Sequence, residues 1–145
     1  MEFKYRDVQA RDLESVVEIA QQCFDDYSRE DYFNMSTDNN YKFIVASLNN
    51  KIVGFLIFLK IDYKLEIIKI ATDPNQRRLG VASGLMRFIQ EYANCHEYCG
   101  VILEVNECNL PARALYSKFG FIEIHIRKKY YHNTDDAIIM EWNKN

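Results

Sequence analysis

The 145-residue sequence lacks most of the features that mark specialised classes of protein. Its apolar runs are far shorter than the ~20 residues that a membrane-spanning helix needs, and its first residues contain no apolar signal segment. We therefore expect a cytoplasmic protein that makes no contact with a membrane. The net charge is -3, whereas a general nucleic-acid-binding protein shows a basic surface. No internal repeat is present, and the length fits one domain, 1–145.

The cysteines of the chain are not spaced as a metal site requires. The four cysteines include no C-x-x-C pair. Cys95, His96 and Cys99 are close in sequence, but no second pair of ligands follows at a spacing typical of zinc. We therefore expect no metal, and we expect the four thiols to be free and buried in a reducing cytosol.

Only two prolines interrupt the chain, and the hydrophobic periodicity predicts alternating strands and helices. Asn49-Asn50 is typical of a hairpin turn, and Asp12 is a candidate cap for the first helix. Residues 25–41 are polar and aromatic, which predicts a loop that can include one short helix. The predicted strands are 3–8, 42–48, 51–60, 64–72, 100–105, 122–129 and 137–142, and the predicted helices are 13–24, 82–93 and 109–120.

Residues 73–83 lie between a predicted strand and a predicted helix, and they combine two arginines with small residues. The first turn of a helix offers unpaired backbone N–H groups and a partial positive charge. Gly80 and Ala82 let this backbone approach an anion closely, while Arg77 and Arg78 add full positive charge. The pattern indicates a pyrophosphate-binding loop; a tight turn beside solvated arginines is the simpler alternative. The pattern is neither a P-loop nor G-x-G-x-x-G.

A second pattern follows over residues 103–121, which read L-E-V-N-E-C-N-L-P-A-R-A-L-Y-S-K-F-G-F. It resembles the L-E-V-x-x-x-N-x-x-A-x-x-L-Y-x-x-x-G-F segment of the GNAT acetyltransferase superfamily. Residues 77–82 resemble the superfamily's R/Q-x-x-G-x-G/A motif, which holds the pyrophosphate of coenzyme A. Two motifs in the right order are far more specific than either alone. The second by itself is also typical of an amphipathic helix followed by a glycine.

A third pattern narrows the resemblance. Residues 126–131, I-R-K-K-Y-Y, and 135–140, D-D-A-I-I-M, resemble the R-x-x-Y-Y…D-A-x-x-M ending of bacterial ribosomal-protein alanine N-acetyltransferases. The chain departs from that branch at 25–28, where D-D-Y-S replaces a frequent P-W-S, and at 106–109, where N-E-C-N replaces R-x-S-N. The first departure lies where the peptide substrate would sit.

The resemblance implies an acetyl-CoA-dependent N-acetyltransferase. The implied fold is α/β (α+β), a GNAT-like single domain with a central mixed, mostly antiparallel twisted sheet flanked by helices. The implied acceptor is a protein N-terminal α-amine, that of an N-terminal alanine of a ribosomal protein, attacked directly without an acyl-enzyme. A related enzyme that acetylates a small-molecule amine and a non-catalytic coenzyme A-binding module are the alternatives. The oligomeric state is left open, and no direct contact with nucleic acid is expected.

The reaction needs a base for the amine and an acid for the departing thiolate. Glu104, at the end of an apolar strand, matches the base of the resembled branch; as an alternative, it is an arginine's partner or a surface carboxylate. Glu66 and Asp136 are weaker candidates for the base. Tyr116 matches the acid of much of the superfamily, and a core tyrosine is the alternative.

The remaining candidates bind the cofactor or the substrate. The resemblance implies that main-chain groups of Ile70, Ala71 and Thr72 align the pantetheine arm, and that Tyr130 and Tyr131 bind the first residues of the peptide. The two tyrosines are adjacent on a strand, so we expect their side chains on opposite faces, and packing at the sheet edge is their alternative role. Tyr27 is a candidate wall of the same cleft. The cofactor candidates of the loop are Arg77, Arg78, Gly80, Val81, Ala82 and Ser83, and they are joined by Asn109, which is also expected to cap its helix.

Overall fold

A computed structural model describes residues 2–23, 27–77, 79–131 and 134–144, apart from the side chain of Tyr131. Some positions singled out in the sequence therefore lie outside the described residues. They are Phe24, Asp25, Asp26, Arg78 and His132.

The described residues form seven strands and four α-helices. The strands are hydrogen-bonded in the order β1-β2-β3-β4-β5-β7-β6. β4 and β5 are parallel, whereas β1 with β2, β2 with β3, β5 with β7 and β6 with β7 are antiparallel. The prediction of a mixed, mostly antiparallel sheet with helices is confirmed. The elements in chain order are β1 (Lys4–Asp7), α1 (Leu13–Cys23), α2 (Arg29–Thr37), β2 (Tyr41–Leu48), β3 (Lys51–Ile61), β4 (Lys64–Thr72), α3 (Val81–Cys95), β5 (Gly100–Asn106), α4 (Leu110–Lys118), β6 (Ile122–Tyr131) and β7 (Asp135–Asn143).

The chain divides into two compact units. The first, called here the N-terminal unit, comprises residues 1–60 and 68–88, and the second, the C-terminal unit, comprises 61–67 and 89–145. β4 and α3 each run from one unit into the other.

The core of the N-terminal unit lies between α1, α2 and the strands β2 and β3. The Tyr32 ring packs edge-on against Phe55 at 5.8 Å and against Phe43 at 6.5 Å. Such aromatic pairs stabilise a core beyond the area that they bury. The buried members of this core are Leu13, Val16, Ile19, Ala20, Tyr32, Met35, Phe43, Val45, Ile52, Phe55, Ile57 and Ala71.

The hairpin between β2 and β3 turns at the predicted residues. Asn49 and Asn50 have φ angles of 53° and 65°. Two consecutive left-handed residues are typical of a type I′ turn, which asparagine tolerates better than most side chains. The predicted turn is therefore confirmed.

Helix α2 is the element that the periodicity predicts only weakly. Its start is fixed by reciprocal capping: Asp31 N–H donates to Ser28 Oγ at 3.1 Å, and Ser28 N–H donates to Asp31 Oδ2 at 2.8 Å. Only Tyr32 and Met35 of this helix are buried. Two buried residues leave little hydrophobic pattern to detect, so the sequence favours a loop here.

Asp12 directly precedes α1, but its carboxylate is used elsewhere. It accepts from Arg6 Nη1 at 2.7 Å and Nη2 at 3.0 Å, and from Gln9 N–H at 2.7 Å. Asp12 is 3% exposed. The bond from Arg6 has the largest effect on the pKa of Asp12 and lowers it. The bond from Gln9 lowers this pKa further, and burial opposes both. The residue therefore joins β1 to the turn before α1.

The prediction of buried thiols is wrong. Cys95, Cys99 and Cys108 are exposed, and Cys23 is half-buried. Cys95 ends α3, and Cys99 and Cys108 lie just before and just after β5, so the chain places them where regular structure begins or ends. All four thiols are free. Among the described residues, no helix combines the length and apolar character that crossing a membrane requires.

Candidate active site

The candidate phosphate loop of the N-terminal unit runs from the end of β4 to the start of α3. Asp73 N–H donates to Val53 O at 2.8 Å, and the Asp73 carboxylate accepts from Asn75 N–H at 3.0 Å. A short 3-10 turn, Pro74–Gln76, follows. Gly80 has a φ of +90°, and Gly84 N–H donates to Gly80 O at 3.0 Å, which closes the first turn of α3.

This loop can accept a pyrophosphate. A Cβ added at Gly80 would meet nothing within 4 Å, so the backbone there faces open space. The first N–H groups of α3, at Val81, Ala82 and Ser83, have no carbonyl partner within the helix and carry the positive end of its dipole. Arg77 is exposed beside them. The residues present therefore fit the diphosphate of coenzyme A.

Cys23 connects Arg77 to the end of β4. Arg77 Nη2 donates to Cys23 Sγ at 3.7 Å, and Cys23 Sγ donates to Thr72 O at 3.7 Å. Ala71 is buried, and Ile70 and Thr72 are half-buried. Cys23 thus links Arg77 of the loop to Thr72. Thr72 is one of the three consecutive residues that the resemblance assigns to the pantetheine arm.

Gly54 of β3 packs beside the candidate phosphate loop, a role that the sequence patterns do not single out. A Cβ at this residue would lie 2.8 Å from Val81 Cγ1 and 2.9 Å from Ala71 O, both closer than real Cβ atoms come. Glycine therefore lets the first turn of α3 and the end of β4 approach β3. A glycine within a strand signals such close approach.

The candidate base lies on the C-terminal unit, where β4 and β5 run parallel. Three residue pairs join these strands in the described chain, and the last is Glu66 with Ile102. Glu104 lies two residues beyond Ile102, so Glu66 and Glu104 share a face of the sheet. The structure thus brings together the principal candidate base and one of the two weaker candidates.

Arg127 of β6 completes this group. Its Nη1 lies 3.2 Å from Glu104 Oε1, and the Glu104 side chain is 24% exposed. Burial raises the pKa of Glu66 above its usual value, the charge of Glu104 adds to the rise, and Arg127 partly offsets it. Glu104 thus has the arginine partner that the sequence left as an alternative. We refer to Glu66 and Glu104 as the carboxylate pair.

The raised pKa of Glu66 predicts a pH-dependent stability. Because the pKa of Glu66 is higher in the folded state, the folded state binds this proton more tightly than the unfolded state does. The free energy of unfolding therefore falls as pH rises from the unfolded pKa through the folded pKa. We expect Glu66→Gln to gain stability relative to the wild type as pH increases from about 4 to about 7. Denaturant unfolding at stepped pH measures the difference.

The same experiment contains its own control. In a Glu104→Gln background the neighbouring charge is gone, so the gain from Glu66→Gln should shrink but persist, because burial is the larger cause. If the free energy of unfolding changed equally with pH in the wild type and in Glu66→Gln, the assignment of a raised pKa to Glu66 would be contradicted.

Asp136, the other weaker candidate base, is occupied by structural bonds. Its Oδ1 accepts from Lys129 N–H at 2.7 Å, and its Oδ2 lies 3.6 Å from Lys128 Nζ. The bond from Lys129, ahead of the opposing desolvation, lowers the pKa of Asp136. A carboxylate stabilised in this way is a poor proton acceptor at neutral pH, so the structure favours the carboxylate pair over Asp136.

Helix α4 carries Tyr116 and begins at the predicted cap. Asn109 Oδ1 accepts from Ala112 N–H at 3.3 Å, which confirms the capping role. Tyr116 is buried, with its ring 6.0 Å from that of Phe121. Arg113 fixes the same helix by donating to Glu107 O at 2.8 Å and to Glu123 Oε2 at 2.8 Å. Tyr116 is therefore held on a rigid element.

Two of the three candidate substrate tyrosines, Tyr27 and Tyr130, have described side chains, and they lie in different surroundings. In the N-terminal unit, Lys69 Nζ lies 4.4 Å from the centre of the Tyr27 ring, which also packs 5.7 Å from Tyr32. In the C-terminal unit, Tyr130 is 52% exposed, and the Arg127 guanidinium carbon lies 5.4 Å from its ring centre. The side chain of Tyr131 lies outside the described residues.

Cys108 is the thiol nearest the second motif, and it is a poor candidate for a covalent nucleophile. Partial desolvation, followed by the charges of Asp135 and Glu107, raises the pKa of the Cys108 thiol. A thiol with a raised pKa is a weak nucleophile because the thiolate is the reactive form. In the part of the chain that the structure describes, no three His, Cys, Asp or Glu residues are grouped as metal ligands.

Known proteins resemble the chain over nearly its whole length. The [ribosomal protein bS18]-alanine N-acetyltransferase of Escherichia coli K12 is 29% identical over 92% of this chain and 92% of its own. The N-alpha-acetyltransferase of Sulfurisphaera tokodaii is 28% identical over 96% and 92%.

Solved structures share the fold. The ribosomal-protein-S18-alanine N-acetyltransferase from Escherichia coli superposes with a TM-score of 0.89 at 26% identity, covering 98% of this chain and 94% of that one. Ard1 from Thermoplasma volcanium gives a TM-score of 0.92 at 26% identity, covering 100% and 99%. Residues 13–121 match the family model described as the Acetyltransferase (GNAT) family. Because that match covers most of the chain, the chain belongs to the GNAT family and is an acetyl-CoA-dependent N-acetyltransferase.

Proposed function

We propose that this enzyme acetylates the α-amine of a protein N-terminus, and that its acceptor is the N-terminal alanine of a ribosomal protein. The observation that carries the proposal is the carboxylate pair, in which Glu104 is paired with Arg127, a residue that also lies against the exposed Tyr130. Relatives named for ribosomal-protein alanine and for N-alpha acetylation support it. In this proposal, residues 1–145 act as one N-acetyltransferase domain.

A carboxylate base suits an α-amine better than a lysine side chain. An α-amine titrates near ~8 and a lysine near ~10.4, so the first loses its proton far more readily at neutral pH. Glu104, helped by the nearby charge of Glu66, attracts the ammonium group and accepts its proton directly or through one water.

The remaining steps use residues of both motifs. Acetyl-CoA supplies the acetyl group as a thioester. Once Glu104 has taken the ammonium proton, the neutral nitrogen forms a bond to the acetyl carbon while the C–S bond breaks, and Tyr116 donates its hydroxyl proton to the departing thiolate. The second proton that the nitrogen loses restores the Tyr116 hydroxyl through water, and the proton on Glu104 passes to solvent. No acyl-enzyme forms, because the nitrogen attacks the thioester directly. The main chain of Ile70 to Thr72 aligns the pantetheine arm, and one of its N–H groups polarises the thioester oxygen.

The other predicted residues bind the two reactants. Tyr27, Tyr130 and Tyr131 bind the first residues of the peptide. The cofactor is held by Arg77, Arg78, Gly80, Val81, Ala82, Ser83 and Asn109.

The proposal is tested by the choice of acceptor. Coenzyme A release from acetyl-CoA is measured with peptides that differ only at the first residue, beside free lysine and a polyamine. We expect turnover selective for the Ala-initiated peptide and steeply reduced in Tyr116→Phe. Turnover confined to the small amines would assign the enzyme to the alternative, small-molecule class, and equal turnover of all peptides would remove the alanine preference.

A further inference from the structure

Arg127 contacts both the proposed base and the proposed substrate tyrosine of the C-terminal unit. Its Nη1 lies 3.2 Å from Glu104 Oε1, and its guanidinium carbon lies 5.4 Å from the centre of the Tyr130 ring. The Arg127 side chain is 47% exposed, so its contacts with Glu104 and Tyr130 leave much of it open to solvent. A planar guanidinium can pair with a carboxylate and lie against an aromatic ring at once, which an ammonium group does less well.

An irregular stretch of β6 sets the direction of these side chains. Arg127 is opposite Ala137 and Tyr131 is opposite Asp135, so three residues of β6 face Asp136 alone. Lys129, in the middle of the three, has a φ of 51°, and its N–H donates to Asp136 Oδ1 at 2.7 Å. Bulges re-aim side chains near functional sites. Asp136 thus fixes the turn of the strand between Arg127 and Tyr131.

The bulge is anchored to the loop that follows β5. Asp136 N–H donates to Glu107 Oε2 at 2.6 Å, and Glu107 N–H donates to Asp136 O at 3.0 Å. Asn106 Nδ2 donates to Asp135 Oδ2 at 3.1 Å beside them. Glu104 lies on the same strand, β5, two residues before Asn106. The strand with the base and the hairpin with Arg127 are therefore tied together by a set of short polar contacts.

We propose that Arg127 is a positioning residue, which orients Glu104 for proton transfer and is itself held by Tyr130, so that peptide binding by the hairpin and orientation of the base are coupled. The inference rests on the proposed function of Glu104 and Tyr130. A residue that acts in this way affects the rate more than the affinity, because misplacing a catalytic group by about 1 Å can cost 10²-fold.

The charged groups around the carboxylate pair define the expected pH effect. Glu66 faces Glu104 from β4, and Arg127 and His125 belong to β6. His125 is opposite Ile139, which in turn is opposite Glu104. The Lys64–Glu141 ion pair lies farther along the same face. Arg127 is a positive group in contact with Glu104, and its charge lowers the pKa of Glu66 against burial and repulsion. Its removal should therefore make Glu66 hold its proton to higher pH.

Four proteins test the inference: the wild type, Arg127→Gln, Arg127→Lys and Lys128→Gln. The last is a matched control, because Lys128 lies in the same hairpin with its Nζ 3.6 Å from Asp136 and loses the same charge. The measurement is kcat and KM for the Ala-initiated peptide across pH. We expect Arg127→Gln to lower kcat at neutral pH by about tenfold or more, with a smaller change in KM. The acid limb, which is the part of the pH profile where kcat falls as pH decreases, should move to higher pH.

The two other variants separate charge from shape. Arg127→Lys should return the acid limb towards the wild-type position, because it keeps the charge, but it should recover only part of kcat. Lys128→Gln should keep the wild-type kcat and acid limb. The inference is overturned if Arg127→Gln matches the wild type, or if Lys128→Gln shifts the limb as far as Arg127→Gln does.

A second readout distinguishes this inference from the proposed function. Carbon-13 NMR of labelled glutamate side chains follows the titration of the carboxylate pair without substrate. We expect a higher pKa for Glu66 in Arg127→Gln than in the wild type and Lys128→Gln. If no peptide is acetylated while this shift is present, the proposed acceptor is wrong and the positioning contact stands. If peptides are acetylated and no shift appears, Arg127 does not act on the pair.

Discussion

Glu104→Gln is expected to lower kcat for an Ala-initiated peptide by about 10²- to 10⁴-fold, the range that general acid–base catalysis contributes. Glutamine keeps the size of the side chain and its contact distance to Arg127, but it cannot accept the proton of the amine. Binding of acetyl-CoA should not change, because the phosphate loop belongs to a different stretch of chain. Steady-state kinetics, with calorimetry for cofactor binding, measures both quantities.

Glu123→Gln is the matched control for this prediction. Glu123 also lies in the C-terminal unit and pairs with an arginine, Arg113, at 2.8 Å, but its side chain is 45% exposed and lies outside the carboxylate pair. We expect the wild-type kcat from it. If Glu104→Gln retained its kcat while Glu66→Gln lost it, the base would be Glu66, whose pKa is already raised towards neutral pH.

Gly80→Val is expected to weaken acetyl-CoA binding by about 100-fold, and Gly80→Ala by about tenfold. At a φ of +90°, a side chain costs roughly 1–3 kcal/mol of folding stability, and a β-branched residue lies at the upper end. This strain is present with or without the cofactor, so the loss of affinity comes from the altered binding surface, and tenfold in affinity corresponds to about 1.4 kcal/mol. The added side chain would also extend into the open space where the pyrophosphate is expected to bind.

Gly120→Ala separates backbone strain from loss of the binding surface. Gly120 has nearly the same φ, +88°, but its added Cβ would lie 3.3 Å from the Trp142 side chain in the C-terminal unit. Urea unfolding should show that both alanine variants lose stability. Calorimetry should show that only the Gly80 variant loses affinity for acetyl-CoA. Equal losses of affinity would mean that strain, and not the phosphate loop, explains the effect.

Most of the fold could be predicted because its strands and helices carry strong local signals. The β2–β3 hairpin depends on two asparagines, and the start of α4 depends on Asn109, each visible within a few residues. Helix α2 has only two buried side chains, so its hydrophobic periodicity is weak, and packing of Tyr32 in the core decides the helix. The capping pair Ser28 and Asp31 is a local signal that marks only its start.

The residue types of the candidate site could be predicted from the sequence, but the side chains that contact each of them could not. Glu104 and Arg127 are far apart in sequence, and only the register of β5, β7 and β6 shows that they meet. The raised pKa of Glu66 depends on its burial and on the alignment of β4 with β5. Asp136 carries a carboxylate and is therefore a candidate base by residue type. Its carboxylate, however, accepts from the backbone of a bulge that no periodicity predicts.

Gly54 shows the same division between residue type and partner. A glycine inside a predicted strand signals close approach of another segment, but the sequence does not say which segment. Its role appears only when Val81 and the carbonyl of Ala71 are found where a Cβ would lie.

The central claim is that the acceptor is an α-amine, and the most direct test is the position of the acetyl group. A peptide that begins with alanine and contains one internal lysine is incubated with acetyl-CoA and enzyme, and the product is sequenced by fragmentation mass spectrometry. We predict a single acetyl group on the α-nitrogen of the first residue, with none on a matched peptide whose N-terminus is blocked. An acetyl group on the lysine side chain, with equal labelling of the blocked peptide, would contradict the account.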